Sequence, residues 1–266
     1  MKGLTLAMAL TMVSGFLGVS AAPQSNPALA IMLASLPAFR SAQEANTGNQ
    51  GSLESVLKKM DEVAATFRSA QAKFEWDTYE RVIDEIDDVE TGNIYYRRTG
   101  KDIEMMAEVK MAGSDLASLK PEPKYVLYSE GKVRMYQPKL DQVTEFDLGK
   151  NHSDFESYVV LGFGGSGQNL QRVFDVSYVG AETINGVATA KLQLVPKSEK
   201  IRNTYKLIFL WIDLDKGVSV QQKFISPQED YRLAKYWDVQ VNGKKIPDEV
   251  FKLKTTGKTQ TITPGR

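Results

Sequence analysis

Apolar residues recur with two periods along the chain, and the change from one to the other divides it. Leu53, Val56, Leu57, Met60, Val63, Ala64 and Phe67 fall at i, i+3, i+4, i+7, i+10, i+11 and i+14. That single stripe predicts an amphipathic helix from Ser52, a suitable N-cap, to about Arg68. From Phe74 the period is two. Phe74, Trp76 and Thr78 alternate with Glu75, Asp77 and Tyr79, as on a strand with one buried face. Further strands are expected over 94–98, 102–111, 124–128, 132–137, 142–147, 176–183, 187–195, 205–213, 218–225 and 231–241. Thr99-Gly100, Glu130-Gly131, Asn185-Gly186, Asp215-Lys216-Gly217 and 227–230 turn the chain between them, and the acidic stretch 84–90 reads as another turn. Such dipeptides between alternating runs are strong hairpin signals. The fold class is mainly β: one antiparallel sheet of about ten strands, too wide to stay flat. Residues 151–174 interrupt it with a helical stretch over 153–161, a glycine-rich loop and a short helix near 169–174. Such an insertion suits a lid over a curled sheet.

The ends add four expected segments. Lys2, the apolar run from Leu4 to Val19 and Ser20-Ala21-Ala22 have the grammar of an export signal cleaved after Ala21. Residues 22–51, with Pro23, Pro27 and Pro37, read as a flexible leader, 52–255 as the folded domain and 256–266 as a tail.

Composition narrows the function. The 266 residues carry 33 Lys+Arg against 33 Asp+Glu, leaving no basic excess for nucleic acid. There is no Cys and one His, His152. That argues against disulfides, thiol chemistry and zinc sites, so no metal and no cofactor are expected, and a binding protein is favoured over an enzyme.

Three motifs invite chemistry. Gly162-Phe163-Gly164-Gly165-Ser166-Gly167 matches G-x-G-x-x-G, but a hairpin closed by Asn185-Gly186 follows where a dinucleotide site needs a crossover to a parallel strand. A flexible hinge between lid helices is the better reading. His152-Ser153-Asp154 holds the residue types of a hydrolase, yet triad members converge from separate segments, so a helix start is expected there. Asp84, Glu85, Asp87, Asp88 and Glu90 lack calcium-loop spacing and read as a solvated loop.

The one-sided strands are the stronger signal. Period two places Phe74, Trp76, Ile94, Tyr96, Ile103, Met105, Ala107 and Val109 on one face, and one helix cannot cover the whole sheet. A cavity lined by those eight side chains, or the seat of a missing partner, is therefore expected. Arg98 shares parity with Ile94 and Tyr96, so its guanidinium starts on the same apolar face and needs acceptors. Backbone carbonyls at the ends of the lid helices within 153–174 would serve, making Arg98 a latch. The alternative is a carboxylate such as Glu80, with Arg97, of opposite parity, merely solvated.

In its order of motifs the chain resembles the LolA-type periplasmic carriers and outer-membrane lipoprotein-sorting proteins over about residues 52–255. The likeness runs through the first helix, Phe74 and Trp76, then Gly92-Asn93-Ile94-Tyr95-Tyr96-Arg97-Arg98. It continues through the hairpin 129–138, Asp141-Gln142-Val143, the later strands and Ile246-Pro247-Asp248-Glu249-Val250-Phe251. The resemblance implies an unclosed half-barrel with helices as a lid over a concave apolar face. It implies a monomeric periplasmic carrier of acylated lipoprotein or lipid, with an inner-membrane release complex and an outer-membrane receptor as partners. It also points to Arg98 as the latch. A lipid-sensing regulator that binds a protein partner is the alternative function.

Overall fold

The computed structural model describes residues 53–100, 102–149 and 159–264. The expected export signal, the leader, His152, Ser153, Asp154 and the start of the expected lid helix lie outside them. Residues 53–66 form helix α1. The strands are β1 Ser69–Glu80, β2 Glu85–Thr99, β3 Asp102–Gly113, β4 Lys120–Ser129, β5 Lys132–Gln137, β6 Gln142–Asp147, β7 Phe174–Ile184, β8 Val187–Pro196, β9 Leu207–Asp213, β10 Ser219–Ile225, β11 Tyr231–Val241 and β12 Gln260–Ile262. Two short helices, α2 Gly167–Val173 and α3 Glu199–Arg202, interrupt them.

All strands join one 12-stranded sheet in the order β12-β6-β5-β4-β3-β2-β1-β11-β10-β9-β8-β7. The chain starts at the middle with β1 and meanders outward to β6. It then crosses to the far edge and meanders back from β7 until β11 lies against β1. The edges, β7 and β12, do not meet, so the half-barrel stays open. Each of the eleven runs read from the sequence is a strand, and a twelfth, β12, lies in the tail and pairs with β6 in parallel, so the sheet is not wholly antiparallel. Thr256 and Thr259 donate to Asp141 and fix that segment.

The acidic stretch is not a solvated loop. The turn is confined to 81–84, where Asp84 takes φ 56°, and β2 begins at Glu85 with its residues paired to β1. Glu90 stays in the ladder because cations meet its carboxylate. Glu90, opposite Trp76, pairs with Lys124 and lies 3.8 Å from Arg232.

Register sorts the apolar residues into rows. Ala70, Tyr96, Met105, Tyr128 and Val133 lie side by side, as do Ala72, Ile94, Ala107, Val126 and Met135. These rows form the concave face of the β1–β5 half. On the opposite face Met106 and Leu127 are buried under Ile246 and Phe251 from the C-terminal segment, so this part of the sheet is apolar on both sides. On the β8–β9 half the core is Ala190, Leu192, Leu194, Ile208, Leu210 and Ile212, packed against Val56, Leu57 and Met60 of α1.

Candidate functional site

The eight expected cavity residues come together. Phe74, Trp76, Ile94, Tyr96, Ile103, Met105, Ala107 and Val109 are all buried in one cluster on the concave face. Phe74 stacks on Trp76 at 3.9 Å between centroids. They do not line an empty cavity, because the concave space is filled by α1 and by residues 159–165. Phe163, fully buried, stacks on Tyr96 at 4.9 Å and meets Tyr236 edge-on at 4.9 Å. The site is an apolar concavity occupied by the protein's own lid.

The glycine-rich loop makes this plugging possible. A Cβ on Gly164, which takes φ +79°, would lie 2.5 Å from the Phe67 ring, and one on Gly162 would lie 2.4 Å from Ser219. The segment is therefore wedged between α1 and β10 rather than a loose hinge, because only glycine allows the backbone so close. α2 leads directly into β7, which pairs antiparallel with β8, so the geometry of a dinucleotide fold is absent at this motif.

Arg98 Nη1 donates to Ala64 O at the end of α1, and Nη2 donates to Gly164 O in the lid, each at 3.1 Å. The guanidinium thus joins two separate elements that cover the concavity. One acceptor falls in the expected lid and the other on α1. Its plane also sits 5.4 Å from the Phe67 ring. Burial pulls its pKa below the ordinary arginine value, yet arginine stays charged at any working pH. No ion pair of Arg98 occurs among the described residues, and Glu80 is not its partner. Arg97 is not merely solvated: it pairs with Glu104 and Asp248 and lies over Phe251 at 4.3 Å.

The other lid anchors are on β10. Gly162 O accepts from Ser219 N at 2.7 Å, and Leu161 O accepts from Gln222 Nε2 at 2.5 Å. Leu161, Leu170 and Phe174 bury themselves in the β8–β9 core. Beside the lid lies a cavity of about 430 Å³, bounded by Arg98, Ile103, Met60, the loop 160–166 and α2. Only Ile103 of the eight apolar residues reaches it, with Arg98.

At the other end of the concave face the polar group Asp88, Glu90, Lys124 and Arg232 surrounds Trp76, with Arg232 4.1 Å from the indole ring. Burial, with Glu90 alongside, pushes the Asp88 carboxyl up to about 6. Neither this cluster nor Phe163, Tyr128, Tyr236 and Gln222 is among the residues expected from the sequence. Parity across the β3–β4 hairpin is the signal that finds Tyr128 opposite Met105. Among the described residues no group of three or more His, Asp or Glu is placed to hold a metal ion.

No family model and no curated protein matches the chain. Solved structures match at low identity. The complex of Pseudomonas aeruginosa MucA and MucB is 15% identical, with a TM-score of 0.43 over 75% of this chain and 60% of that one. A putative outer-membrane lipoprotein-sorting domain from Vibrio parahaemolyticus is 11% identical, with a TM-score of 0.38 over 74% and 97%. The Mycobacterium tuberculosis lipoprotein LppX is 11% identical, with a TM-score of 0.44 over 74% and 98%. These neighbours include the group of proteins that the sequence resembles. The chain spans 57% to 64% of the MucB chains it matches.

Proposed function

We propose that this protein is a carrier that takes up the acyl chains of a lipoprotein or related lipid. In this reading it is exported, works in the periplasm and passes its cargo from the inner to the outer membrane. One observation carries the reading. A half-buried arginine spends its donors on two backbone carbonyls, and those carbonyls belong to the two elements that fill an apolar concavity. Nothing in the packing of a plain core calls for a guanidinium there, since its desolvation is expensive. A closure that must open does call for one. Hydrogen bonds to carbonyls break and reform more readily than interlocked aliphatic packing.

The concave face supplies the driving force. Each acyl CH₂ transferred from water is worth about 0.8 kcal/mol, so a few turns of chain outweigh the bonds of Arg98. When cargo enters, Phe163 leaves the face formed by Tyr96, Met105 and Ile94 and Gly164 parts from Arg98, while Leu161 and Gly162 keep their bonds to β10. When cargo departs, Arg98 regains Ala64 O and Gly164 O and closes the face again. No catalytic group takes part.

Native mass spectrometry of the protein isolated from the periplasm of an expressing bacterium tests the reading. The expected result is a fraction of the chains carrying acylated protein or lipid. A stoichiometric protein partner without acyl species would point to a lipid-sensing regulator instead. Bare protein with hydrolytic turnover would make it an enzyme. Either of the latter outcomes overturns the carrier.

A further inference from the structure

The cavity beside the lid has a charge pattern that acyl-chain binding alone does not require. Among the described residues that line its 430 Å³, two are arginines, Arg98 and Arg172, and none is acidic. Much of the remaining wall is apolar: Met60, Ile103, Leu161, Leu170, Val173 and Phe174. Four of these six, Met60, Leu161, Leu170 and Phe174, belong to the buried β8–β9 core, so the wall is firm. The volume lies within the range of small-molecule sites, about 300–1,000 Å³. An apolar pocket with a few convergent polar groups is the usual form of such a site.

The two arginines differ in state. Arg172 sits in the last turn of α2 and is exposed. Arg98 is half-buried and bonded to neutral carbonyls at 3.1 Å. A guanidinium binds a carboxylate or phosphate through two parallel, charge-assisted bonds, roughly twice as strong as bonds between neutral groups. An anion arriving at this cavity therefore offers Arg98 better acceptors than Ala64 O and Gly164 O.

We propose that this cavity admits a single-chain amphiphile with an anionic headgroup, carboxylate or phosphate, held between Arg98 and Arg172 with its chain along the apolar wall. The inference deepens the acyl-chain reading and rests on it. It adds a selectivity and a trigger. The headgroup competes with the two carbonyls for the same donors, so negative charge unlatches the lid. A neutral chain of equal length leaves Arg98 in place. Arg172, which has no part in the closure, guides the headgroup in from solvent.

Isothermal titration of the full chain with four probes tests this. The probes are palmitate, palmitoyl lysophosphatidic acid, monopalmitoylglycerol and inorganic phosphate, each below its micellar concentration where one exists. Both anionic amphiphiles are expected to bind at least about tenfold more tightly than monopalmitoylglycerol, the factor for one charge-assisted bond over a neutral one. Phosphate alone is expected to bind far more weakly than either. Arg172→Gln, at an exposed position, is expected to bring the anionic preference to within about threefold as one ion pair is lost. Arg98→Lys, which keeps the charge and loses the fork, is expected to reduce it as well.

Equal affinity for palmitate and monopalmitoylglycerol would overturn the charge selectivity and leave the acyl-chain reading standing. Phosphate binding as tightly as the amphiphiles would make the cavity an ion site and overturn the headgroup assignment. Failure of every amphiphile to bind would overturn the acyl-chain reading together with the inference. An unchanged preference in both arginine variants would remove the arginines from recognition.

Discussion

The lid meets the two halves of the sheet in different ways. Toward β8 and β9 it is built in. Leu161, Leu170 and Phe174 interlock with Leu192, Leu194, Ile208 and Leu210, all fully or almost fully buried, and two lid carbonyls accept from β10. Toward β2 and β3 it is only laid on. There, among the described residues, the contacts include one stacked ring, Phe163 on Tyr96, one guanidinium bond, Arg98 to Gly164, and the apolar packing of Val159 and Val160. Interlocked aliphatic side chains lose dispersion and burial together when separated. A flat ring and a hydrogen bond to a neutral carbonyl can both be replaced by a ligand that offers apolar surface and acceptors. In the carrier reading proposed above, the β10 side serves as the hinge and the β2 side is the one that opens.

Substitutions on the two sides are expected to separate in size and in their response to ligand. Leu210→Ala is expected to cost about 2–5 kcal/mol of global stability, as for other buried leucines. Urea unfolding measures it, and an acyl-chain ligand is not expected to restore the loss. Phe163→Ala leaves a gap on the face where ligand enters, and part of the lid can relax. Its cost is expected near the low end for a buried phenylalanine, about 3 kcal/mol. Because ligand binds the folded state alone, palmitate is expected to raise the midpoint of this variant more than that of the wild type. Equal responses in the Leu210 and Phe163 variants would erase the distinction between the two sides.

A smaller effect comes from the polar end of the concave face. The folded Asp88 carboxyl titrates near 6, against an ordinary value of 3.8. The folded state therefore holds this proton more tightly than the unfolded chain. Stability from this group is highest in acid, falls as the pH rises from about 4 to 6, and stays lowered at neutral pH. Asp88→Asn removes that cost. The variant is expected to exceed the wild type by about 1 kcal/mol at neutral pH, after allowance for solvent screening. The difference is expected to vanish below about pH 4. A variant that is less stable at neutral pH would show that Lys124 and Arg232 need the charge of Asp88 as well as that of Glu90.

The sheet was legible in the sequence because its signals are local. Period-two alternation and turn pairs such as Asn185-Gly186 depend on neighbours only, and the eight concave residues follow from parity. The place of Arg98 on the concave face follows from the same parity. What escaped depends on distant partners. Glu85–Glu90 looks like a solvated run until Lys124 and Arg232 arrive from β4 and β11 to neutralise Glu90. Residues 260–262 are too short to announce a strand, and β6 supplies the pairing. The loop 162–167 reads as a hinge by composition, whereas its glycines are required by Phe67 and Ser219, residues far from it in the chain. Met106 and Leu127 break the one-sided pattern because Ile246 and Phe251 return to cover them.

Hydrogen exchange of the wild type and of Arg98→Leu, followed segment by segment, tests the asymmetric lid most directly. Arg98 contributes two bonds to neutral acceptors at a site where its own desolvation opposes them, so global stability is expected to change by no more than about 1 kcal/mol. Faster exchange is expected over residues 159–165 and at the end of α1 in the variant, with β8, β9 and β10 unchanged. Unaltered exchange over 159–165, or an equal loss of protection in β8 to β10, would contradict a lid that is hinged on one side and latched by Arg98 on the other.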